Sequence, residues 1–393
     1  MYDLLVKGGK VIDVAQGIHY QSDIAISQGK VASVAQEIAS SKAKRVIDAK
    51  GKIVTPGLID IHTHVANGLV NVAAEPDEDG VFSGVTTVCD GGSTGHATLL
   101  GLKKYVIPQA KTDILCFLAL HPTGLALIPE NWNWRDVNPE AILRTIEDNR
   151  DLVKGIKMRA VGALAETLGV ELIKRGKKIA TEAGVPVMVH IGKDPPEKTQ
   201  ANVMESLSRQ LLPLLDKGDI LTHVFSPKRG QVIKPDGSML PGFREAMERG
   251  VILDVASGST NFSFEIARKA LAEGILPDTL STDVSTFYTP RRLILTRLMS
   301  KFLALGLSLD KIIEMTTINS ARALGEEQRR GSLKVGMPAD ISILELTEGD
   351  FTFVDALKNT IKGNLLLVPR LTLKFGIEIL PKFPSDMGSS VIV

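Results

Sequence analysis

Two cysteines in 393 residues and a formal net charge of +1 remove several classes of protein at the outset. Cys89 and Cys116 each sit inside an apolar, strand-like run, where a small buried thiol is a more ordinary occupant than half of a disulfide. A reducing, cytoplasmic home is the expectation that follows. With 46 Lys and Arg against 45 Asp and Glu, there is no electrostatic case for nucleic acid or an anionic membrane surface. A bilayer span needs roughly 18 consecutive apolar residues, and no run approaches that. Residues 1–9, MYDLLVKGG, alternate like a strand and turn at glycine, so no secretory signal is expected there. Low-complexity tracts are missing too, as is any internal repeat beyond an alternation of strand and helix.

What is present is an ordinary globular composition, 44% hydrophobic and 23% charged. The length suits one large domain and one small one. Residues 2–55 hold three β-rich runs, Leu4-Leu5-Val6-Lys7, Asp23-Ile24-Ala25-Ile26 and Val31-Ala32-Ser33-Val34, with Gly29 turning the last two into a hairpin. After Pro56 the pattern changes. Short apolar runs at 58–64, 86–90, 114–121, 153–158, 185–191, 220–225, 251–255 and 279–284 alternate with amphipathic stretches at 141–150, 168–183, 243–249 and 264–273. Gly184, Gly250 and Gly274 follow three of those stretches, where a helix commonly stops. Eight such units predict a (β/α)8 TIM barrel over residues 56–330, with a doubly wound open sheet as the alternative. From Gly331 the chain returns to β character, through Ile341-Ser342-Ile343-Leu344, Leu365-Leu366-Leu367-Val368 and Leu371-Thr372-Leu373-Lys374. Residues 1–55 and 331–393 are therefore expected to pair as one small, discontinuous β-sandwich domain.

The organising stretch is Gly57-Leu58-Ile59-Asp60-Ile61-His62-Thr63-His64. Residues two apart in a strand share a face, so His62 and His64 present both imidazoles to one side, as metal ligands do. An isolated His-x-His is as often a pair of surface or core histidines. The other strand ends decide: His190 closes the fifth run, His223 the sixth, and Asp283 the eighth. Four of seven histidines thus fall on the rim where such barrels build active sites. Imidazole with carboxylate suits zinc or a similar first-row divalent ion.

These residues, from Pro56-Gly57 through the histidines to the Gly331-Ser332-Leu333-Lys334-Val335-Gly336 return, resemble the amidohydrolase superfamily of metal-dependent hydrolases, in particular its dihydroorotase-like and deacetylase-like branch. The resemblance implies two divalent metal ions, zinc foremost and manganese as the other choice, bridged by a CO2-derived carbamate on a strand-four lysine. Lys157 matches that position. Strand alternation leaves Lys154 on the opposite face, so the two lysines are separated by side and chosen between by the family match. The resemblance further implies that His62, His64 and Asp283 hold the more buried metal, that His190 and His223 hold the other, and that Asp283 is the catalytic proton shuttle serving a metal-bridging hydroxide.

Departures from the family pattern narrow the substrate. Dihydroorotate-binding members usually carry arginine two residues after the second histidine, where this chain has Ala66; purine deaminases carry glutamate three residues after the strand-five histidine, where it has Lys193. The run Thr86-Thr87-Val88-Cys89-Asp90-Gly91-Gly92-Ser93-Thr94-Gly95 resembles the strand-two segment of deacetylase-like members. Its glycines would let backbone amides approach a ligand, or Ser93 simply caps a turn. Arg159 could grip a substrate carboxylate or sit in a structural ion pair. Ser93, His96 and His121 could line the pocket, although His121 before Pro122 could equally just end strand three. Trp132 and Trp134 could wall the mouth or meet a neighbouring subunit. The expectation is a binuclear hydrolase of small N-acyl or O-acyl substrates, acetylated and carboxylate-bearing, working as a homo-oligomer without nucleic-acid or membrane partners. The rivals are a cyclic-amide hydrolase of the hydantoinase or dihydroorotase type, and a non-catalytic scaffold of the same fold.

Overall fold

The computed structural model describes residues 1–126, 133–193, 200–286 and 294–382. Trp132 lies outside them, as does the end of the tail. Seven parallel strands form one sheet in chain order: Leu58–Thr63, Val85–Gly95, Asp113–Ala119, Val153–Arg159, Val187–His190, Ile220–Thr222 and Ile252–Asp254. Parallel strands need crossovers, and helices supply them, among them Pro139–Glu147, Val170–Ala183, Phe243–Glu248 and Phe264–Ala272. The local chemistry sets their ends. Asn138 caps Pro139–Glu147 by accepting from the Ala141 amide at 3.0 Å. Gly184, with φ of 67°, stops Val170–Ala183. At the other end of that predicted stretch the helix starts late, because Gly169 (φ 56°, ψ −135°) breaks it from a short helix, Ala163–Leu168.

The eighth expected run does not form a strand. Residues 279–284 pair with the sheet through isolated parallel bridges, Thr279 to Asp254 on one edge and Val284 to Thr63 on the other. Two features explain this. Asp283 has φ of 52°, which no strand can carry, and the Thr282 amide is bound by the Asp60 carboxylate at 3.1 Å. The sixth and seventh strands also end earlier than predicted, for the same backbone reason: His223 has φ of 70° and Ala256 φ of 39°.

Both chain ends contribute to a second, mixed sheet. Its order runs Ile377–Ile379, Thr360–Lys374, Ile341–Val354, Ile53–Pro56, Leu4–Val11, Gln21–Ser27, Lys30–Ala35, with Val46–Asp48 also beside Leu4–Val11. Ile341 pairs with Pro56 and Leu344 with Ile53, so the returning tail is stitched onto the strand that leads into the first histidines. The hairpin at Gly29 is present; Gln28 (φ 52°) and Gly29 (φ 71°) are both left-handed, as a tight two-residue turn requires. The two C-terminal runs are one strand, bulged where Leu344 faces Pro369. Leu371 and Leu373 pack into the small core, whereas Phe351, Phe353, Ile361, Leu366 and Leu367 join the large one. That hairpin belongs to both cores. Among the described residues no helix is long and apolar enough to cross a membrane, and both cysteines are buried and free.

Candidate metal centre

Asp60 and His62 alternate along the strand Leu58–Thr63, and His64 follows one residue past its end. His62 is 1% exposed and His64 6%, yet neither is stranded in apolar surroundings. The His62 Nδ1 lies 2.9 Å from Thr222 Oγ1, and the His64 Nδ1 lies 2.9 Å from Ser93 Oγ. Both rings therefore turn Nε2 toward Asp283, whose Oδ1 is 3.6 Å from that of His62 and 3.2 Å from that of His64. Asn261 Nδ2 donates to the other oxygen, Oδ2, at 3.1 Å. Lys157 Nζ is 2.9 Å from His62 Nε2 and 3.2 Å from Met188 Sδ, fully inside the site, while Lys154 points away and pairs with Glu326 at 2.6 Å. His190 and His223 make a second unit: Nδ1 of the first and Nε2 of the second are 2.9 Å apart, and His223 Nδ1 donates to the Ala256 carbonyl at 2.8 Å. The His62 and His223 rings are 5.2 Å apart, centre to centre, so the two units adjoin.

The backbone is strained where it delivers these groups. His223, Ala256 and Asp283 are three of the six non-glycine residues with positive φ among the described residues, and each such conformation costs on the order of 1–3 kcal/mol. The second strand supplies room. A Cβ on Gly91 would lie 2.4 Å from His62 Cδ2, and one on Gly92 would lie 2.7 Å from Lys157 Cβ. These glycines make space for a histidine and a lysine; Ser93, 0% exposed, stands behind His64 and caps no helix.

Burial sets the charges. It pushes His62 and His190 well below the usual histidine range and takes His223 down to about 3, so these imidazoles are neutral. Burial also lowers Lys157 to about 7, although the Asp283 carboxylate opposes it. For Asp283, burial raises the carboxyl, and the His64 hydrogen bond leads the effects that outweigh it and hold it ionised. Asp60 is raised by burial to about 7, and Asp254 is raised from the same cause.

Neutral imidazoles and an ionised carboxylate are the donor set of a divalent cation. His62, His64 and Asp283 each offer one ligand atom, all within 4.8 Å of one another. Two ligands on one tetrahedral zinc, each near 2.05 Å from it, lie about 3.4 Å apart. The 3.2 and 3.6 Å separations fit that.

Beside the histidines is a small pocket lined by Gly92, His121, Leu125, Lys157, Arg159 and Leu172 among others. Arg159 and His121 are thus on its wall. His96 lies near it, with Nε2 buried and unpartnered among the described residues, and burial together with the nearby His121 lowers its pKa. Trp134 packs on the large core with the Arg175 guanidinium 5.2 Å from its ring. Ala66 is fully buried, so no cation occupies that place, and Lys193 faces Glu166 at 4.0 Å. Sequence reasoning passed over Asp60, Thr222, Asp254 and Asn261. Spacing could have flagged Asp60, two residues before His62, and Thr222, adjoining His223. Nothing local marks Asn261 or Asp254.

A family model described as the amidohydrolase family matches residues 53–366. A protein of Agrobacterium fabrum named a deacetylase is 32% identical over 375 residues, covering 93% of this chain and 89% of that protein. A crystal structure of an adenine deaminase superposes with a TM-score of 0.87 at 29% identity, covering 97% of this chain and 100% of the other. A crystal structure of a dihydroorotase gives a TM-score of 0.82 at 28% identity, covering 97% and 98%.

Proposed function

The chain belongs to the amidohydrolase family, and from that premise we propose that it is a binuclear metal-dependent hydrolase cleaving the amide or ester bond of a small, acetylated N-acyl or O-acyl acid. The observation that carries the reading is the convergence of His62, His64 and Asp283 within 4.8 Å, with Lys157 at 2.9 Å from His62. The relative named a deacetylase supports the acyl substrate over a ring. Ala66 argues against the dihydroorotase alternative and Lys193 against deamination. A non-catalytic scaffold is disfavoured because every expected ligand position is filled. The domain reading stands with it: residues 56–330 as a (β/α)8 barrel completed by the 279–284 segment, and residues 1–55 with 331–393 as the β-sandwich domain. The bridges at Thr279 and Val284 support closure, and the antiparallel pairing at Pro56 supports the joining of the ends.

His62, His64 and Asp283 would hold one ion, His190 and His223 the other, and Lys157, as its carbamate, would bridge them. When bound, zinc or manganese lowers the pKa of a held water and polarises a carbonyl. Everything else is the work of the chain. Asp283 takes the proton of the attacking water and returns it to the leaving group, while Asn261 donates to Oδ2 and keeps the carboxylate aimed. Arg159, on the cavity wall with apolar Leu125 and Leu172, receives a carboxylate at one end of the substrate and leaves the scissile bond over the histidines.

The test is a screen of N-acetyl and O-acetyl acids, with hydantoins and dihydropyrimidines as the ring arm, on protein loaded with zinc or manganese. Acetate release from the acyl acids and no ring opening is the expected result. Ring opening alone would replace the reading with the cyclic-amide one, and absence of metal binding would leave only the scaffold.

A further inference from the structure

We propose that Thr222 and Asp254 are positioning residues for His62, a hydroxyl and a carboxylate that together fix which ring nitrogen faces the metal. The inference rests on the reading of His62 as a ligand. Thr222 Oγ1 is 2.9 Å from His62 Nδ1 and 2.8 Å from Asp254 Oδ2, while Asp254 Oδ2 itself stays 3.6 Å from the ring. The hydroxyl therefore stands between the two groups.

A threonine hydroxyl has one proton to give. Asp254 receives three hydroxyls, from Thr222, from Thr279 at 2.8 Å and from Ser281 at 2.7 Å. All three hydroxyls donate to the Asp254 carboxylate oxygens, and this commits the Thr222 proton to Asp254. Were that proton turned to His62, the Thr222 and Asp254 oxygens would meet at 2.8 Å with no hydrogen between them. Thr222 can then only accept, and His62 must donate Nδ1–H. The opposite side of the ring agrees: Lys157 Nζ is 2.9 Å from Nε2, which accepts from it. Nε2 consequently faces the site with its lone pair.

The neighbouring ligands are held differently. His223 donates Nδ1–H to a backbone carbonyl, which no substitution removes. Ser93, behind His64, gives its hydroxyl to no carboxylate among the described residues and can serve either tautomer. His62 depends on a hydroxyl-to-carboxylate relay, and that relay reaches the segment bearing Asp283 through Thr279 and Ser281. Outer groups that orient a metal-binding histidine are typically worth 10- to 100-fold in affinity.

The experiment compares wild type, Thr222→Val, Thr222→Ser and Asp254→Asn for zinc affinity by chelator competition, for kcat and KM, and for melting of the metal-free protein. Thr222→Val is expected to weaken one zinc site about 10- to 100-fold and to lower kcat more than it raises KM. Thr222→Ser should return both to within about threefold, and Asp254→Asn should resemble Thr222→Val. Nitrogen-15 spectra of metal-free wild type, assigned with His62→Gln, should show His62 protonated at Nδ1; this arm needs neither folded valine variant nor activity. An Nε2-protonated His62, or Thr222→Val binding zinc as wild type does, overturns the relay. Serine failing to rescue where valine fails shows a structural role and overturns it as well. If wild type binds zinc but these outcomes appear, only the relay falls; if wild type binds none, the functional reading falls first and takes the relay with it.

Discussion

Replacing Gly91 with alanine isolates the geometry of His62 from everything else. Gly91 is not among the residues with positive φ, so its backbone accepts alanine. The added Cβ would lie 2.4 Å from His62 Cδ2 and 2.8 Å from Nε2. Carbon contacts settle at about 3.5 Å, so the imidazole must retreat by about 1 Å. A misplacement of that size at a reacting centre costs on the order of 100-fold in rate, about 2.7 kcal/mol of transition-state stabilisation. Stability should suffer less. Overpacking costs about 1–3 kcal/mol, and alanine recovers about 0.4–1 kcal/mol by restricting the unfolded chain. The control is Gly184→Ala, at a helix end with φ of 67° and nothing within 4 Å of the new Cβ. That change should cost roughly 1–2 kcal/mol of stability and leave the rate alone. Kinetics on the best acyl substrate, zinc content after dialysis and melting temperature read both effects. Gly91→Ala with full zinc and a rate within threefold of wild type would refute the placement of His62.

Three further outcomes are expected. Lys157→Ala should lose zinc and activity together, and a short carboxylic acid should partly restore both by supplying the missing anionic oxygens; full activity without the acid would show that another group bridges. Asp283→Asn should lower kcat by at least 100-fold at saturating metal, and stopped acetate release with near-normal substrate binding is the signature. Lys301, on the helix Ile294–Ala304, donates to the Val354 carbonyl at 2.8 Å, and burial depresses it to about 8. Below that pH the folded state holds a disfavoured cation; between about 8 and the usual lysine value near 10.4 the unfolded chain binds more protons, so stability rises with pH. The gain is at most about 3 kcal/mol and is reduced by partial solvent exposure. Denaturant midpoints across that window should rise in wild type and stay flat in Lys301→Met.

Much of this molecule was legible in one dimension because its signals are local. Strand alternation puts His62 and His64 on one face whatever else the chain does, and it sends Lys154 and Lys157 to opposite sides, as the ion pair of Lys154 with Glu326 and the burial of Lys157 bear out. Runs of apolar residues marked seven parallel strands, and glycines at 29 and 184 marked a turn and a helix stop through their left-handed backbones. What the tertiary structure alone decided are relations between residues far apart in the chain. The last predicted strand failed because Asp283 adopts positive φ and Asp60, more than 200 residues earlier, captures the Thr282 amide. The role of Gly91 and Gly92 depends on which side chains arrive opposite them, and Thr222 and Asp254 acquire meaning only when His62 is brought against them. Periodicity encodes the face a residue points to; the partner it meets there is set by packing, which no stretch of sequence contains by itself.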